Sequence, residues 1–150
     1  MIASLVMGAG ACATLKPPMT TSGPAASPTG IQIAVVRQLC AVSQPFDAYT
    51  NWIDETVELE VQNGSAEPLN VHRDKFHLIA PDGSVVASRA PADPLVLEKG
   101  AKQTVELTFS TRTGNGGLDC RKPMRLDSRA AITAREAPVA FREVSFVPSI

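Results

Sequence analysis

The chain has few aromatic residues, no excess of basic charge and no long apolar run. Lys and Arg number 14 against 15 Asp and Glu, so the formal net charge of the 150 residues is −1. Without a basic excess the chain lacks the electrostatic footprint of a nucleic-acid-binding protein, and we expect no nucleic-acid partner. Aromatic side chains make up only 5% of the residues, whereas prolines number 12 and glycines 10. This composition favours short strands separated by turns.

Residues suited to catalysis are scarce as well. His72 and His77 are the only histidines, and neither a G-x-S-x-G nor an S-x-x-K motif occurs. A hydrolase needs an activated nucleophile with a base within reach. Glu58 and Glu60 alternate with apolar residues, so we interpret them as the solvated face of a strand and not as a glycosidase pair. We therefore expect no enzymatic activity and no cofactor.

A metal site is the alternative function that the sequence leaves open. His72, Asp74 and His77 fall within six residues and are of types that bind metal ions. On an extended strand the two histidines would be about 16 Å apart and on opposite faces, whereas one ion needs its ligands within a few ångströms of one another. Only a turn at residues 73–74 would bring them together. The alternative is thus a small periplasmic metal-binding protein that uses His72 and His77.

The N-terminal apolar segment ends at a cysteine. Residues 2–11 read IASLVMGAGA, which is shorter than the roughly 20 residues of a membrane span but matches the apolar region of a secretory signal, about 7–15 residues long. The sequence AGA before Cys12 resembles the lipobox of bacterial lipoproteins, in which a signal peptidase cuts before the cysteine and the thiol carries a diacylglycerol. Plain secretion remains open, because Ala11-Cys12-Ala13 is itself an A-x-A site.

The resemblance to a lipobox implies where in the cell the protein is located. It makes residues 1–11 a signal peptide, places a lipid on Cys12, and anchors the chain in the bacterial cell envelope. Ala13, where some lipoproteins have Asp, implies the periplasmic side of the outer membrane if the cell is Gram-negative. Residues 14–30 read TLKPPMTTSGPAASPTG and bury too little apolar surface to fold, so we expect residues 12–30 to form a disordered tether.

From residue 31 onward the pattern is that of strands. Apolar residues alternate with polar ones at Ile31, Ile33 and Val35, and the run VELEVQ at residues 57–62 has an apolar and a charged face. Further strands are predicted near residues 76–78, 85–86, 105–109, 124–126, 131–134 and 139–147. In the last of these the apolar phase changes between residues 141 and 144, which indicates a β-bulge and a strand that crosses between sheets.

No window has a convincing helical period. The nearest is formed by Phe46, Tyr49, Trp52 and Ile53, which we interpret as one helical turn that plugs the core before the second strand. Seven or eight short strands separated by turns predict an all-β antiparallel sandwich over residues 31–150.

Three stretches support a narrower prediction. LEVQNGSAEPLNV, FHLIAPDGSVV and LEKGAKQTVELTF, between residues 59 and 109, resemble the immunoglobulin-like domains of unknown function found in bacterial envelope lipoproteins. The resemblance implies an immunoglobulin-like sandwich and an envelope address, but no activity. We expect a non-catalytic, lipid-anchored protein with a binding or structural role, whose partners are the membrane and an envelope protein or ligand that the sequence does not specify.

The three cysteines fit this interpretation. An odd count in an exported protein means that one cysteine differs from the others. With Cys12 lipidated, Cys40 and Cys120 remain in an oxidising compartment, where two such cysteines normally pair. We expect a disulfide that ties the end of the first strand to a late strand, and two buried free thiols are the alternative.

Overall fold

The computed structural model describes residues 20–21, 25–27, 29–43, 51–112, 117–139, 141 and 144–147. These residues form strands and one 3-10 helix, Arg73–Lys75, and every strand pair is antiparallel. No helix in these ranges is long and apolar enough to cross a bilayer. The strands are β1 (Thr20–Thr21), β2 (Ala25–Ala26), β3 (Ile31–Ser43), β4 (Trp52–Asn63), β5 (Leu69–Val71), β6 (His77–Ile79), β7 (Val85–Ala87), β8 (Leu95–Leu97), β9 (Lys102–Arg112), β10 (Met124–Asp127), β11 (Ile132–Ala134), β12 (Ala137–Pro138) and β13 (Val144–Val147).

One layer is a four-stranded sheet with the order β2-β3-β4-β9, built on three long strands. The predicted alternation is present, because Val57, Leu59 and Val61 of β4 are all buried. Between them Glu58 and Glu60 lie on the outer face, as expected. Glu58 forms an ion pair with Arg37 of β3, and Glu60 forms one with Lys102 of β9. The long strands therefore place an apolar face inward and a charged face outward.

The second layer consists of two shorter sheets, with the orders β1-β13-β10-β6-β7 and β12-β11-β5-β8. The chain passes directly between them four times, from β5 to β6, β7 to β8, β10 to β11 and β12 to β13. Two of these crossings are the 3-10 helix between β5 and β6 and residues 128–131 between β10 and β11. The backbone N–H of His72 donates to the carbonyl oxygen of Ala131 at 2.7 Å and joins the two crossings. The two short sheets thus adjoin at these crossings.

The three sheets bury a single apolar core. Its members come from both layers and form one contiguous cluster. The largest fully buried side chains are Phe76, Phe109, Phe146, Ile31, Ile33, Leu59, Leu69, Leu78, Leu107, Met124, Leu126 and Ile132. The all-β antiparallel sandwich is confirmed, and several of its strands are divided into pieces of only two to four residues.

Strand pairing begins earlier than the predicted domain boundary at residue 31. Thr20–Thr21 pairs with β13, and Ala25–Ala26 pairs with β3. Ala25 is fully buried and Ser27 nearly so, and the hydroxyl of Ser27 accepts a hydrogen bond from the backbone N–H of Ile31 at 3.1 Å. The predicted tether of residues 12–30 is therefore too long, because small residues without an apolar signal still contribute backbone pairs. Cys12 and the predicted signal peptide lie outside the described residues.

The predicted last strand, residues 139–147, begins beside one short sheet and ends in the other. At its start the N–H of Val139 donates to the carbonyl oxygen of Ile132 on β11 at 2.9 Å, and Ala137–Pro138 just before it pairs with β11, whereas Val144–Val147 pairs with β10 and β1. Val139 and Val144 are both buried, although they have opposite alternation phases. The predicted crossing between sheets is confirmed. Residues 140, 142 and 143, where the phase changes, lie outside the described ranges.

The predicted helical turn before the second strand is wrong for Trp52 and Ile53, the two of its residues that the structure describes. Trp52 and Ile53 are the first residues of β4 and pair with Ser43 and Val42 of β3. Trp52 is half-buried, and the guanidinium of Arg112 on β9 lies 5.2 Å from its ring centroid. This segment is a strand because its residues pair with β3 and β9. Pairing between distant segments is not visible in the local spacing of apolar residues. The other two residues of the predicted turn, at positions 46 and 49, lie outside the described part of the chain.

Candidate functional site

A disulfide between Cys40 and Cys120 connects the long sheet to the loop before β10. The two α-carbons lie 5.5 Å apart, and 80 residues separate the cysteines in sequence. The predicted pair is present, and Cys40 lies within β3, three residues before the strand ends at Ser43. Both cysteines are buried, and Cys40 belongs to the inner face of the sheet. The crosslink fixes the loop at residues 117–122 against the edge of the long sheet.

A buried carboxyl lies beside this disulfide. Glu55 of β4 is the direct cross-strand partner of Cys40 and of Phe109, so its side chain is on the inner face with them. Its exposed fraction is 0%, and burial raises the pKa of its carboxyl from 4.5 to about 8. The residue is therefore protonated, and neutral, at the lower end of the physiological pH range.

Sequence reasoning missed Glu55, although a signal for it exists. The inward phase of β4 contains Val57, Leu59 and Val61, and continuing this phase two residues toward the N-terminus reaches Glu55. An acidic residue in the inward phase of a half-buried strand indicates a buried titratable group.

A groove runs along the edge of β3 next to the disulfide. It has a volume of about 730 Å³ and is lined by residues 39–42 of β3, by Ile53 and by residues 119–121. Side chains of consecutive strand residues point to opposite faces. A cavity that touches four consecutive residues therefore lies along the strand's edge and not over one face. Leu39 and Val42 are 47% and 60% exposed there. We call this cavity the disulfide groove.

Polar contacts hold the β3–β4 hairpin beside the groove. The Asp54 carboxylate accepts hydrogen bonds from the hydroxyl of Ser43 at 3.0 Å and from the hydroxyl of Ser110. Because these residues belong to β3, β4 and β9, one carboxylate connects all three long strands. The groove thus has one rigid wall, formed by the long sheet, and a second wall held by the disulfide.

A smaller cavity of about 390 Å³ lies near the β2–β3 turn and is lined by Thr29, Ile31, Ser65, Ala66, Glu67 and Ala134. The carboxylate of Glu67 forms an ion pair with Arg135, which stands in the turn between β11 and β12. Arg135 has a φ of +48° and Glu136 a φ of +63°, a left-handed conformation that two-residue hairpin turns require. Apart from Ile31, the side chains that line this smaller cavity are short or polar, so the cavity offers less apolar surface to a ligand than the disulfide groove does.

The residues of the predicted alternative metal site are not brought together. The turn that would be needed at residues 73–74 is present as the 3-10 helix, which corrects the expectation of an extended strand there. His72 nevertheless contacts the hydroxyl of Thr133 through Nε2 at 3.2 Å, whereas His77 is paired with Asp127 and Ala87 in the other short sheet. Among the residues described, no group of three His, Cys, Asp or Glu side chains could hold an ion.

The chain is similar in structure to a solved protein, whereas no sequence family matches it. No protein-family model matches the chain, and neither does any curated protein. The crystal structure of a candidate lipoprotein from Bacillus subtilis, ycdA, is similar, with a TM-score of 0.56 and 16% sequence identity. The match covers 81% of this chain and 38% of that one, so the chain spans well under half the length of ycdA. At this identity the similarity shows the shared fold.

Proposed function

We propose that the chain is a non-catalytic, lipid-anchored protein of the bacterial cell envelope that binds a partner through the disulfide groove. The observation that carries the proposal is the Cys40–Cys120 disulfide. Disulfides form in oxidising compartments outside the cytosol. Because these two cysteines pair with each other, Cys12 is left as the odd cysteine, at the end of an apolar segment that resembles a lipobox.

The structural neighbour supports the same location in the cell envelope. The Bacillus subtilis protein of similar fold is described as a candidate lipoprotein. A shared fold does not by itself establish a shared function, so the N-terminal sequence remains the main support for the anchor. In a Gram-negative cell, Ala13 after Cys12 favours the periplasmic side of the outer membrane.

The disulfide groove is the surface that we propose for binding. Its volume of about 730 Å³ lies within the range of ligand pockets, roughly 300–1,000 Å³. Leu39, Val42 and Ile53 give it apolar walls, and Asp119 and Arg121 supply charged groups at one side. Apolar walls with a few polar groups are typical of binding sites.

The groove's chemistry supports binding and not catalysis. Its two sulfur atoms are joined to each other, so neither is a thiolate nucleophile. Both histidines of the chain lie in or beside the short sheets, whereas the groove is lined by the long sheet and the loop at residues 119–121. A histidine that could activate a nucleophile is therefore not among the described residues that line it.

Detergent partitioning tests the anchor. The wild-type chain, expressed in a bacterium, is expected in the detergent phase of a two-phase extraction, and Cys12→Ser is expected in the aqueous phase. Thr14→Ser serves as the matched control, because it changes the same segment without removing the thiol. The proposal fails if the wild-type chain and Cys12→Ser both partition into the aqueous phase.

A further inference from the structure

The disulfide groove includes an apolar face that belongs to the inside of the sandwich. Val42 and Ile53 are cross-strand partners, and each lies two residues from a buried residue of the inner face, Cys40 and Glu55. Val42 is nevertheless 60% exposed, and Ile53 is only partly buried. The apolar interior of the sandwich therefore opens into the groove at this end of the long sheet.

The rest of the lining does not require a polar ligand. Cys120 contributes a sulfur atom that is joined to the other cysteine and carries no charge. One carboxylate oxygen of Asp119 accepts a hydrogen bond from the backbone N–H of Arg121 at 3.0 Å, and the other forms an ion pair with Lys122 at 3.9 Å. Both oxygens thus have partners within the loop. The groove suits an acyl chain, which has no polar group that would need a partner when buried.

The N-terminal part of the chain leads toward this groove. Thr21 and Met124 pair with Phe146 from opposite sides of β13, so β1 and β10 run in the same direction. The residues that precede β10 lead back to Cys120 and the groove. At Thr20, the first residue of β1, the preceding chain therefore points toward the same end of the sandwich.

The pairing of β2 gives the same direction independently. Ala26 pairs with Gln32 of β3, and the residue before it pairs with Ile33. A step toward the N-terminus along β2 is therefore a step along β3 toward Cys40. Two pairings in different sheets thus direct the N-terminal chain toward the disulfide.

The chain is long enough for Cys12 to reach the groove. Two strand spacings, about 10 Å, separate the α-carbons of Thr21 and Met124. Cys120 lies four residues before Met124, at most about 14 Å away. The α-carbons of Thr21 and Cys120 are therefore within about 24 Å of each other. The nine residue steps from Thr21 back to Cys12 span up to about 30 Å when extended, which exceeds this distance.

We propose that the disulfide groove holds one acyl chain of the lipid on Cys12 of the same molecule. The inference rests on the proposed lipid anchor and gives the regulation of the proposed binding site. An acyl chain that occupies the groove excludes a partner from it, whereas an acyl chain that lies in the bilayer leaves the groove open. Membrane anchoring and partner binding are thereby coupled.

The tether is the reason for choosing the molecule's own lipid over a free lipid. A ligand joined to its site by a short flexible linker has an effective concentration in the millimolar range, provided that the linker can span the distance. Movement of one acyl chain from the bilayer to the groove also weakens the anchor, because a single chain gives only reversible membrane binding. The state with an occupied groove is therefore the more weakly anchored one.

Photocrosslinking of the full-length acylated chain tests the proposal. The chain is expressed in a bacterium supplied with a fatty acid that carries a diazirine, purified in detergent, reconstituted into vesicles of phosphatidylethanolamine and phosphatidylglycerol, and irradiated. We expect peptide mass spectrometry to find the acyl chain crosslinked to residues 39–42, 53 or 119–121. Isotope-labelled wild-type chain, grown without the probe and placed in the same vesicles, should carry no crosslink, because the contact lies within one molecule.

A charge in the groove should displace the acyl chain. Val42→Asp places a carboxylate on the apolar face and is expected to lower the crosslinking yield about tenfold. Val85→Asp on β7 is the matched control, because Val85 is 62% exposed and does not line the groove, and it should leave the yield unchanged. Circular dichroism of both variants establishes that the fold is retained. Equal yields from the two variants would overturn the proposal.

A separate sample distinguishes the molecule's own lipid from free lipid. Acylated chain grown without the probe is placed in vesicles whose phospholipids carry the diazirine, and its groove residues should then receive few crosslinks. Groove crosslinks as frequent as those from the lipid on Cys12 would make a membrane lipid the occupant and overturn the proposal.

The first sample also separates a failure of the anchor from a failure of the inference. Absence of the probe from the peptide that contains Cys12 refutes the anchor and the inference together. A probe on Cys12 without any crosslink in the groove refutes the inference alone.

Discussion

Cys40 and Glu55 are directly paired across β3 and β4 on the inner face of the long sheet. One residue carries the covalent link to the loop before β10, and the other is a buried carboxyl. The disulfide reduces the freedom of the unfolded chain, whereas the carboxyl makes stability depend on pH. At two neighbouring positions, therefore, the disulfide stabilises the folded domain and the buried carboxyl destabilises it when the pH is high enough to ionise the unfolded chain.

Removal of the disulfide is expected to destabilise the domain strongly. Closing a loop of 80 residues stabilises the folded state by up to about 4–5 kcal/mol, because the crosslink lowers the conformational entropy of the unfolded chain. The variant with Cys40→Ala and Cys120→Ala should lower the free energy of unfolding by most of this amount in urea titrations. Cys12→Ala is the matched control and should unfold like the wild type. Free thiols at both positions in the unreduced, denatured wild-type chain would contradict the disulfide.

Glu55 is expected to make stability fall as pH rises. Burial raises the pKa of its carboxyl from 4.5 to about 8, so between these values the folded chain holds a proton that the unfolded chain has lost. The free energy of unfolding then decreases from pH 4.5 to about pH 8. Glu55→Gln removes this penalty, and the variant should become more stable than wild type, increasingly so across that window, as measured by thermal unfolding.

The control for this prediction is Glu106→Gln on β9, an exposed residue of the same sheet. It should keep the decline in stability that the wild type shows between pH 4.5 and 8. A wild-type unfolding free energy that stays level across this window, or a Glu55→Gln variant that declines in parallel with it, would show that Glu55 ionises in the folded protein as it does in the unfolded one.

Asn63 is expected to be the most sensitive polar residue of the fold. It is fully buried, and its amide donates to the carbonyl oxygens of Glu67 at 2.7 Å and Leu97 at 3.0 Å while its oxygen accepts from Ser65. Asn63→Ala removes the hydrogen bonds to the two carbonyl oxygens and from Ser65, and it should lower the free energy of unfolding by about 2–4 kcal/mol. Gln62→Ala, at the exposed neighbouring position, should cost little. Equal losses for the two variants would contradict this role.

The fold was largely predictable because strand alternation is a local property. The apolar phases at residues 31–35, 57–61 and 105–109 each correspond to a buried strand face. The short strands β1 and β2 were not predictable, because backbone pairing holds them and their small side chains carry no apolar pattern. Trp52 was misassigned to a helical turn for a related reason, since its strand state follows from pairing with Ser43 and Arg112.

The site was predictable only in part. Cys40 and Cys120 could be paired because an oxidising compartment and an odd cysteine leave few alternatives. The disulfide groove depends on which strands pair over long sequence distances, and a single sequence does not specify that. Glu55 is an intermediate case, because its inward phase was visible but its burial required knowledge of the opposite layer.

The histidines are expected to bind no metal tightly. His72 contacts Thr133, and His77 lies in a different sheet, so the two rings lack a shared centre for one ion. Stoichiometric zinc or copper should leave the melting temperature of the wild type unchanged, and the variant with His72→Ala and His77→Ala should respond to metal as the wild type does. Tight binding that this double substitution abolishes would favour a metal-binding function instead.

The mass of the mature N-terminus tests the proposed function most directly. The chain is expressed in a bacterium, extracted with detergent, digested and analysed by peptide mass spectrometry. The lipid-anchored envelope function predicts that the mature chain begins at Cys12 and carries the mass of a diacylglycerol on its thiol. A mature chain that begins at an unmodified Thr14, as cleavage after Ala13 would produce, would contradict it.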